Sequence, residues 1–471
     1  MNTMLIKEHN CLYEILPWPE KVTSAAGAFD LNCPVAVKAP DEYNFQAERL
    51  VKAMSCFDMT CGGNGQTIEL VKDAALPGDG WKISIEPTTV TVSASNDAGM
   101  TYGVSAVIQM LAVATTAGKG RFLAMTCGTA EAVPRFQWRG FMLDSARHFR
   151  SKENVIKLLH ILAHYRYNVF HWHLTDNEGW RTPSEVCPEL PGKGELQDGF
   201  YSYEDIAEVR AVAKKLNIKI VPELDLPGHS RRLVNVLPEM GCASGAGDEV
   251  CIGKAEVRAK IGELLDEFMA LFPESTEIHI GGDEACSKHW EACPDCQKAV
   301  KERNLQSVRE LEHEFVLSLI KQVQDSGRTA IVWNDAGVYP QDVIVQMWVE
   351  KNRIETLKNG HKVIMSSCSR CYTDRLYDWE LQLVDFQTYV NVNDTYMYDP
   401  YTGHEDYRDQ ILGVEGCAWG GYLAERRLFN KIMPRLTALA EVCCGDPRQK
   451  FWTSFAKRDA RQRDAACELI W

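Results

Sequence analysis

Apolar residues recur along this chain with two different periods. Up to about residue 133 they alternate with polar ones, as in QTIELVKD and WKISIEPTTVTVSAS, where Ile83 and Ile85, then Val90 and Val92, share one side. That period of two predicts half-buried strands, with Pro87 separating the last two. The following stretch, Asp97 to about Ala117, is continuously apolar at helical length and predicts a helix lying on that sheet. Residues 1–133 therefore read as a small α+β domain.

From Pro134 onward short apolar runs alternate with longer helical segments, the mark of βα units around a parallel sheet. The runs are WRGFMLDSA, NVFHWHLTD, IKIVPELDLP, TEIHIGGDE, RTAIVWND, DVIVQMW, HKVIMSS and QILGVEGCAW. Eight such runs predict a closed (β/α)8 TIM barrel over residues 134–471, with helices at its C-terminal end. Between them, Val155, Leu158, Leu159 and Leu162 fall on one helical face, and Ser202 with Asp205 forms a capping-box pattern before the next helix. Residues 256–271 repeat the helical period, a helix is expected from Ala424 to Val442, and FWTSFAKRDARQRDAACELIW reads as a terminal helix against the barrel.

Composition narrows the function classes. Hydrophobic residues make up 45% and charged ones 25%, and no run of about 18 apolar residues points to a membrane span. A formal charge of −14 with no basic cluster argues against nucleic acid as a partner. The first twenty residues show neither a continuous apolar stretch nor a small-residue cleavage site, so a cytoplasmic setting is expected, with a processed exported form as the other option. Seventeen cysteines, an odd number, fit a reduced setting better than full pairing. Cys286, Cys293 and Cys296 lie close together and CPDC is half of a zinc pattern, but no second CxxC or CxxH pair stands nearby. Neither metal nor cofactor is therefore expected.

In a barrel of this type the active site lies at the C-terminal ends of the strands. Those ends carry Asp144 and Arg147; Asp176; Glu223, Asp225 and His229; Asp283 and Glu284; Trp333 and Asp335; Trp348; Tyr372 and Asp374; and Trp419. Carboxylates among tryptophans suit a sugar, whose C–H face packs on aromatic rings while its hydroxyls bind charged groups. No phosphate loop and no GxSxG elbow is present. Asp283 and Glu284 are neighbours, and within a strand neighbours point to opposite faces. Gly281 and Gly282 free the backbone there, so both acids can reach one ligand, and their proximity should raise the pKa of one of them toward a general acid's range.

RGFMLDSARHF, FHWHLTDNEGWR, VPELDLPGH and HIGGDEAC, with WND and tryptophans downstream, resemble glycoside hydrolase family 20, the β-N-acetylhexosaminidases. The resemblance spans about residues 134–445, and the N-terminal part is similar to the domain that precedes the barrel in that family. It implies an exo-acting, retaining hydrolase of terminal β-linked N-acetylhexosamine, in which the substrate's acetamido group is the nucleophile and an oxazolinium ion the intermediate. By that resemblance Glu284 is the acid and base, Asp283 holds the acetamido N–H, and Tyr372 binds its oxygen. Trp333, Trp348 and Trp419 wall the pocket, Arg147 and Asp374 bind sugar hydroxyls, and Asp176 with His229 supports Glu284.

One position departs from the family pattern: the glutamate expected two residues after the eighth-strand tryptophan is Gly421, leaving Glu425 or Glu415 to compensate. That departure keeps open a hydrolase removing a disaccharide or a sulfated hexosamine; a non-catalytic glycan-binding protein is the remaining alternative. His171 and His173 alternate on one strand without a third ligand at matching spacing and are read as core or supporting residues. Arg147 has a competing reading as an ion-pair partner of Asp144.

Overall fold

The computed structural model describes residues 10–63, 65–117, 123–191, 199–243, 245, 247–334, 337, 339–349, 353–376, 389–421 and 423–465. Its first domain is a six-stranded sheet in the order β1-β6-β4-β5-β3-β2. The strands are β1 (Lys21–Asp30), β2 (Val35–Lys38), β3 (Gln66–Lys72), β4 (Trp81–Ile85), β5 (Thr89–Ala94) and β6 (Ala124–Ala132). Alternation in β4 and β5 buries Ile83, Ile85, Val90 and Val92. Their register pairs Ile83 with Val92 and Ile85 with Val90, so the four side chains form one apolar face. β1 and β6, KVTSAAGAFD and AMTCGTAEA, are rich in Ala, Gly, Ser and Thr and carry no such signal.

The Asp97–Ala117 helix lies where the sequence placed it and is long and apolar enough to cross a membrane by length and composition. Here its apolar surface is covered, with residues 100–112 buried. Gln109 on this helix hydrogen-bonds both Leu16 N and Leu16 O, at 2.7 Å each.

The second domain is a closed parallel barrel of eight strands, one for each apolar run: β7 (Trp138–Asp144), β8 (Val169–His173), β9 (Lys219–Glu223), β10 (Glu277–His279), β11 (Thr329–Trp333), β12 (Ile344–Met347), β13 (Val363–Met365) and β14 (Ile411–Ala418). The Lys152–His164 helix buries Val155, Leu158, Leu159 and Leu162, with Ser151 accepting from Asn154 N at its start. The Tyr203–Lys215 helix opens on a complete Ser202–Asp205 capping box, and losing such a cap costs about 1 kcal/mol. The third predicted helix runs from Ala255 to Ala270.

Two expectations need correction. The single helix from Ala424 to Val442 is broken: a 3-10 turn at Glu425–Arg427, a short helix at Leu428–Ile432, then Arg435–Cys444. Pro434 lacks the N–H that a continuous helix would need, and it pushes Met433 to an extended conformation (φ −85°, ψ 143°). The terminal helix, Trp452–Ala465 in the described residues, does not pack on the barrel alone. Arg458 donates to Ile15 O at 2.8 Å and to Glu441 at 2.7 Å, and Gln462 donates to Glu14 O at 2.7 Å. It thereby ties the barrel to the first domain. Arg139 on β7 makes a further tie, donating to Tyr102 Oη of the first domain at 2.6 Å.

Candidate active site

The barrel interior is polar and hydrogen-bonded around two glutamates. Glu223, at the end of β9, receives Trp333 Nε1 at 2.8 Å and contacts His171 at 3.1 Å, His279 at 3.0 Å and His173. Glu415 on β14 takes His171 Nδ1 at 2.7 Å, Trp138 Nε1 at 2.9 Å and Gln346 Nε2 at 2.8 Å. His171 and His173 are thus hydrogen-bonded core residues, and Glu415 is committed below the site, so it does not compensate for Gly421. Glu425 is committed as well: it accepts from Ser151 N, Ser151 Oγ and Asn154 Nδ2 at 2.6–2.7 Å, at the start of the first barrel helix.

Above this layer a cavity of about 200 Å³ opens at the C-terminal ends of the strands. Arg147, His229, Asp283, Glu284, Trp348, Tyr372, Asp374 and Trp419 all line it, as do Asp225, Arg375 and Gly421. Of the residues predicted for the site, Asp176 and Trp333 lie just beneath, and Asp335 lies outside the described residues. Trp333 is fully buried, its ring 5.8 Å from Trp419 and packed in one cluster with Tyr372. It therefore floors the aromatic wall instead of standing in it, because its indole is drawn down to Glu223.

Each loop is shaped by the residues that end its strand. Asp144 accepts from Ala146 N and Arg147 N at 2.9 Å and from Gly420 N at 2.7 Å, so it turns the first loop and ties it to the eighth. The Arg147 guanidinium then spans Asp144 (3.0 Å) and Asp176 (2.8 Å) and lies 5.0 Å from the Trp419 ring centre. Arg147 is thus an ion-pair partner of Asp144 and Asp176, and it also lines the cavity.

The two acids reach one ligand through backbone geometry. Gly281, Gly282 and Glu284 all adopt positive φ, at 67°, 97° and 53°. Asp225 accepts the Gly282 N–H at 3.1 Å, and a Cβ on Gly281 would lie 1.7 Å from Asp225 Oδ1, so only glycine fits. His229 also sits at positive φ, 49°. Two left-handed non-glycine residues in one cavity are strained positions of the kind that cluster at functional sites.

A chain of contacts leads from the core to the outer acid. His173 Nε2 is 2.9 Å from Asp176 Oδ2, Asp176 Oδ1 is 3.2 Å from His229 Nδ1, and His229 Nε2 is 3.6 Å from Glu284 Oε2. Burial opposes the charge on His229, but Asp225, Asp176 and Glu284 outweigh it and hold its pKa well above the usual value. Asp176 is held low despite burial, by Arg147 and the two histidines.

The expected rise in an acid of the Asp283-Glu284 pair is not seen at Glu284. The His229 imidazole, its Nε2 3.6 Å from Glu284 Oε2, lowers Glu284, ahead of the opposing effect of burial. The raised carboxyls are Asp225, pushed by burial to about 7, and Asp374, pushed by burial to about 6. Asp374 Oδ1 is buried with no hydrogen-bond partner among the described residues, an orphan acceptor in a cavity wall. Its neighbour Arg375, which the sequence reading passed over, lies 5.2 Å from the Tyr372 ring centre.

The thiol reading also changes. Cys293 and Cys296 meet a second pair after all, Cys242 and Cys251, while Cys286 is exposed and stands apart from them. The pair was missed because it is brought in by the fold, from 42 to 54 residues upstream.

A closed barrel with adjacent acids, an imidazole behind one of them and aromatic walls at its strand ends defines a glycoside hydrolase. Residues 136–444 match the family model "Glycosyl hydrolase family 20, catalytic domain", and residues 12–130 match "Glycosyl hydrolase family 20, domain 2". The chain belongs to glycosyl hydrolase family 20. Among its relatives, a beta-hexosaminidase of Porphyromonas gingivalis is 29% identical over 98% of this chain and 64% of its own length. One from Akkermansia muciniphila is 27% identical over 84% of this chain and 86% of its own. The chain therefore spans under two thirds of the first relative and most of the second. Among solved structures, a Vibrio harveyi exo beta-N-acetylglucosaminidase in complex with N-acetylglucosamine superposes with a TM-score of 0.86 at 26% identity, covering 97% of this chain and 77% of that one. A Bacteroides fragilis beta-N-acetylhexosaminidase gives 0.82 at 27% identity, covering 97% and 96%.

Proposed function

We propose that this protein removes terminal, non-reducing β-linked N-acetylhexosamine with retention of configuration, using the substrate's acetamido oxygen as nucleophile. The observation that carries this reading is the placement of Asp283 and Glu284 in one cavity, their oxygens and a His229 nitrogen all within 4.8 Å of one another. Inverting hydrolases separate their carboxyls by roughly 6.5–9.5 Å to admit a water, and direct-nucleophile enzymes set them on opposite sides of the bond. Two acids adjacent in sequence, their oxygens within 4.8 Å, leave no such gap for a water and come from a single turn of the chain. They suit a group that attacks from within the substrate.

In the resting site Glu284 is a carboxylate paired with the His229 imidazolium. Substrate expels water from around Glu284, which favours its neutral form, and His229 Nε2–H is the nearest proton source. Glu284 then protonates the glycosidic oxygen as the acetamido oxygen closes on the anomeric carbon and the leaving group departs. Asp283 accepts the acetamido N–H and stabilises the positive charge of the oxazolinium ion. Glu284, now a carboxylate, takes a proton from the water that reopens the ring and restores the β configuration. Tyr372 is placed to bind the acetamido oxygen, while Asp374, Arg147 and Trp419 hold the sugar. The names of the relatives, beta-hexosaminidases and an N-acetylglucosamine complex, support this substrate class.

The volume of about 200 Å³ lies below the usual range for ligand sites, roughly 300–1,000 Å³, and suits a single sugar unit. None of the sixteen described cysteines forms a disulfide, which supports a reducing compartment. The test is Glu284→Gln on aryl and alkyl β-N-acetylglucosaminides. Loss of general acid catalysis, about 10²–10⁴-fold, should fall far more heavily on the alkyl substrate, which needs protonation to leave. Equal turnover of both by the variant would remove Glu284 from this role.

A further inference from the structure

Away from the cavity, the structure gathers four cysteines that the hydrolytic reaction does not use. Cys251, Cys293 and Cys296 are fully buried and Cys242 nearly so. Their Sγ atoms are 3.9 Å apart for Cys242 and Cys296, 3.8 Å for Cys251 and Cys293, and 3.7 Å for Cys251 and Cys296. All four sulfur atoms lie within 4.8 Å of one another. These separations are far from the roughly 2.05 Å of a disulfide bond. Four thiolates about 2.3 Å from one tetrahedral ion lie about 3.8 Å apart along each edge, which the three separations of 3.7–3.9 Å match.

We propose that Cys242, Cys251, Cys293 and Cys296 bind one structural zinc ion, which clamps the loop carrying His229 to the loop carrying Asp283 and Glu284.

The local backbone is built for such a site. Cys293 caps the Pro294–Glu302 helix and Cys296 lies in its first turn, so CPDC wraps two thiols around one helix start. Gly253 comes so close to that turn that a Cβ would lie 2.5 Å from Cys296 N, and its N–H points at Cys251 Sγ. Donation from a backbone N–H to sulfur stabilises a thiolate ligand. Arg258 donates to Ile252 O at 2.7 Å and Lys254 to Gly241 O at 3.0 Å, setting two cations beside a centre that would carry a net charge of about −2 with four thiolates. A closed set of four sulfur ligands is a structural zinc arrangement, with no position left for substrate.

The clamp acts on the catalytic loops through short connections. Cys242 follows His229 by thirteen residues and Cys293 follows Glu284 by nine. Between them, Ser230 N bonds Asp248 O at 2.6 Å, Val250 N bonds Pro227 O at 3.1 Å, and Cys286 N bonds Glu249 Oε1 at 2.9 Å. Tying the two loops together holds His229 against Glu284, a contact of 3.6 Å between two strained residues that no regular element supports. The ion takes no part in bond breaking.

The test is the metal content of the full chain, purified under reducing conditions without chelators and without a metal-affinity step. One equivalent of zinc per chain is expected in the parent and in Cys286→Ser, whose thiol is exposed and outside the cluster, with loss of zinc in Cys293→Ser/Cys296→Ser. Should the double variant fail to fold, a mercurial titration of the parent reads the same claim: zinc appears at a colorimetric indicator in step with the blocking of buried thiols, and the melting temperature drops. Cobalt in place of zinc should show the visible bands of a tetrahedral thiolate complex. Parent protein that is free of zinc and fails to take it up on dialysis against zinc would overturn the proposal, as would iron as the bound metal. Because the readout is metal, it is independent of which glycan the enzyme cleaves.

Discussion

Gly281→Ala is the substitution that most sharply probes how the two acids come to share a cavity. The new Cβ would stand 1.7 Å from Asp225 Oδ1, 2.3 Å from its Cγ and 2.8 Å from its Cα, at a backbone φ of 67°. The left-handed conformation alone costs an alanine about 1–2 kcal/mol. Forcing a methyl into a filled site adds typically about 1–3 kcal/mol, so destabilisation of about 2–5 kcal/mol is expected. Gly327→Ala is the control: its φ is 80°, and nothing lies within 4 Å of its Cβ position, so only the conformational part should be seen. Urea unfolding measures the stabilities, and kcat/KM on an aryl β-N-acetylglucosaminide measures the site. Displacing the 281–284 turn by about 1 Å should lower kcat/KM by about 10²-fold, with Gly327→Ala unaffected. Adding Asp225→Ala to Gly281→Ala should be less than additive by about 0.5–3 kcal/mol, because the clash with the carboxyl is then gone and only the approach to the Cα remains. The reasoning fails if Gly281→Ala unfolds like Gly327→Ala and keeps the parent kcat/KM.

Three further outcomes follow from the same geometry. His229 carries the proton that Glu284 delivers and is held well above its usual pKa, so the alkaline limb of the parent kcat/KM profile marks loss of that proton; in His229→Ala only the Glu284 carboxyl remains to hold it, and the limb should move to lower pH while kcat falls; an unmoved limb would separate the two residues. Asp374, raised to about 6, binds hydroxyls as a carboxylate, so kcat/KM should decline as pH falls through about 6, and Asp374→Asn should abolish that limb while raising KM; a limb that persists in the variant belongs to another group. Gly421→Glu meets only Arg147 Cδ, 4.0 Å from its Cβ position, and restores an acceptor for outer hydroxyls. It should lower KM about 5- to 10-fold, the worth of one added hydrogen bond of roughly 1–1.5 kcal/mol; an unchanged KM would show that Gly421 leaves no hydroxyl unheld.

Periodicity was most informative where burial is one-sided or complete. All eight barrel strands, the Asp97–Ala117 helix and the capping box at Ser202 were legible, because each depends on neighbours in sequence. β1 and β6 were not, since small and hydroxyl residues in a sheet edge region leave no alternation to read. The break at Pro434 was visible as a residue but was overridden by the apolar pattern around it. Within the site, residue identities came from the strand ends and from the family resemblance, and ten residues from all eight strands and their loops do converge on one region. What the sequence withheld was every property set by tertiary distance. Trp333 sinks to Glu223, Glu425 is taken by Ser151 and Asn154, and His229 reverses the pKa direction expected for Glu284. The thiol cluster is the same case: Cys242 and Cys251 lack metal-ligand spacing with each other and acquire it only when the fold sets them on CPDC.

The central claim, that the substrate's acetamido group is the nucleophile held by Asp283, is tested most directly by one ratio: kcat/KM for an aryl β-N-acetylglucosaminide over that for the matching β-glucoside, in the parent and in Asp283→Ala. The account predicts that the parent hydrolyses the glucoside at a negligible rate, since the glucoside lacks the acetamido oxygen that acts as nucleophile, and that Asp283→Ala lowers activity on the N-acetyl substrate by about 10²–10³-fold, the scale of losing one group that stabilises developing charge. Comparable rates on both sugars in the parent, or an Asp283→Ala variant that keeps its preference and its rate, would contradict it.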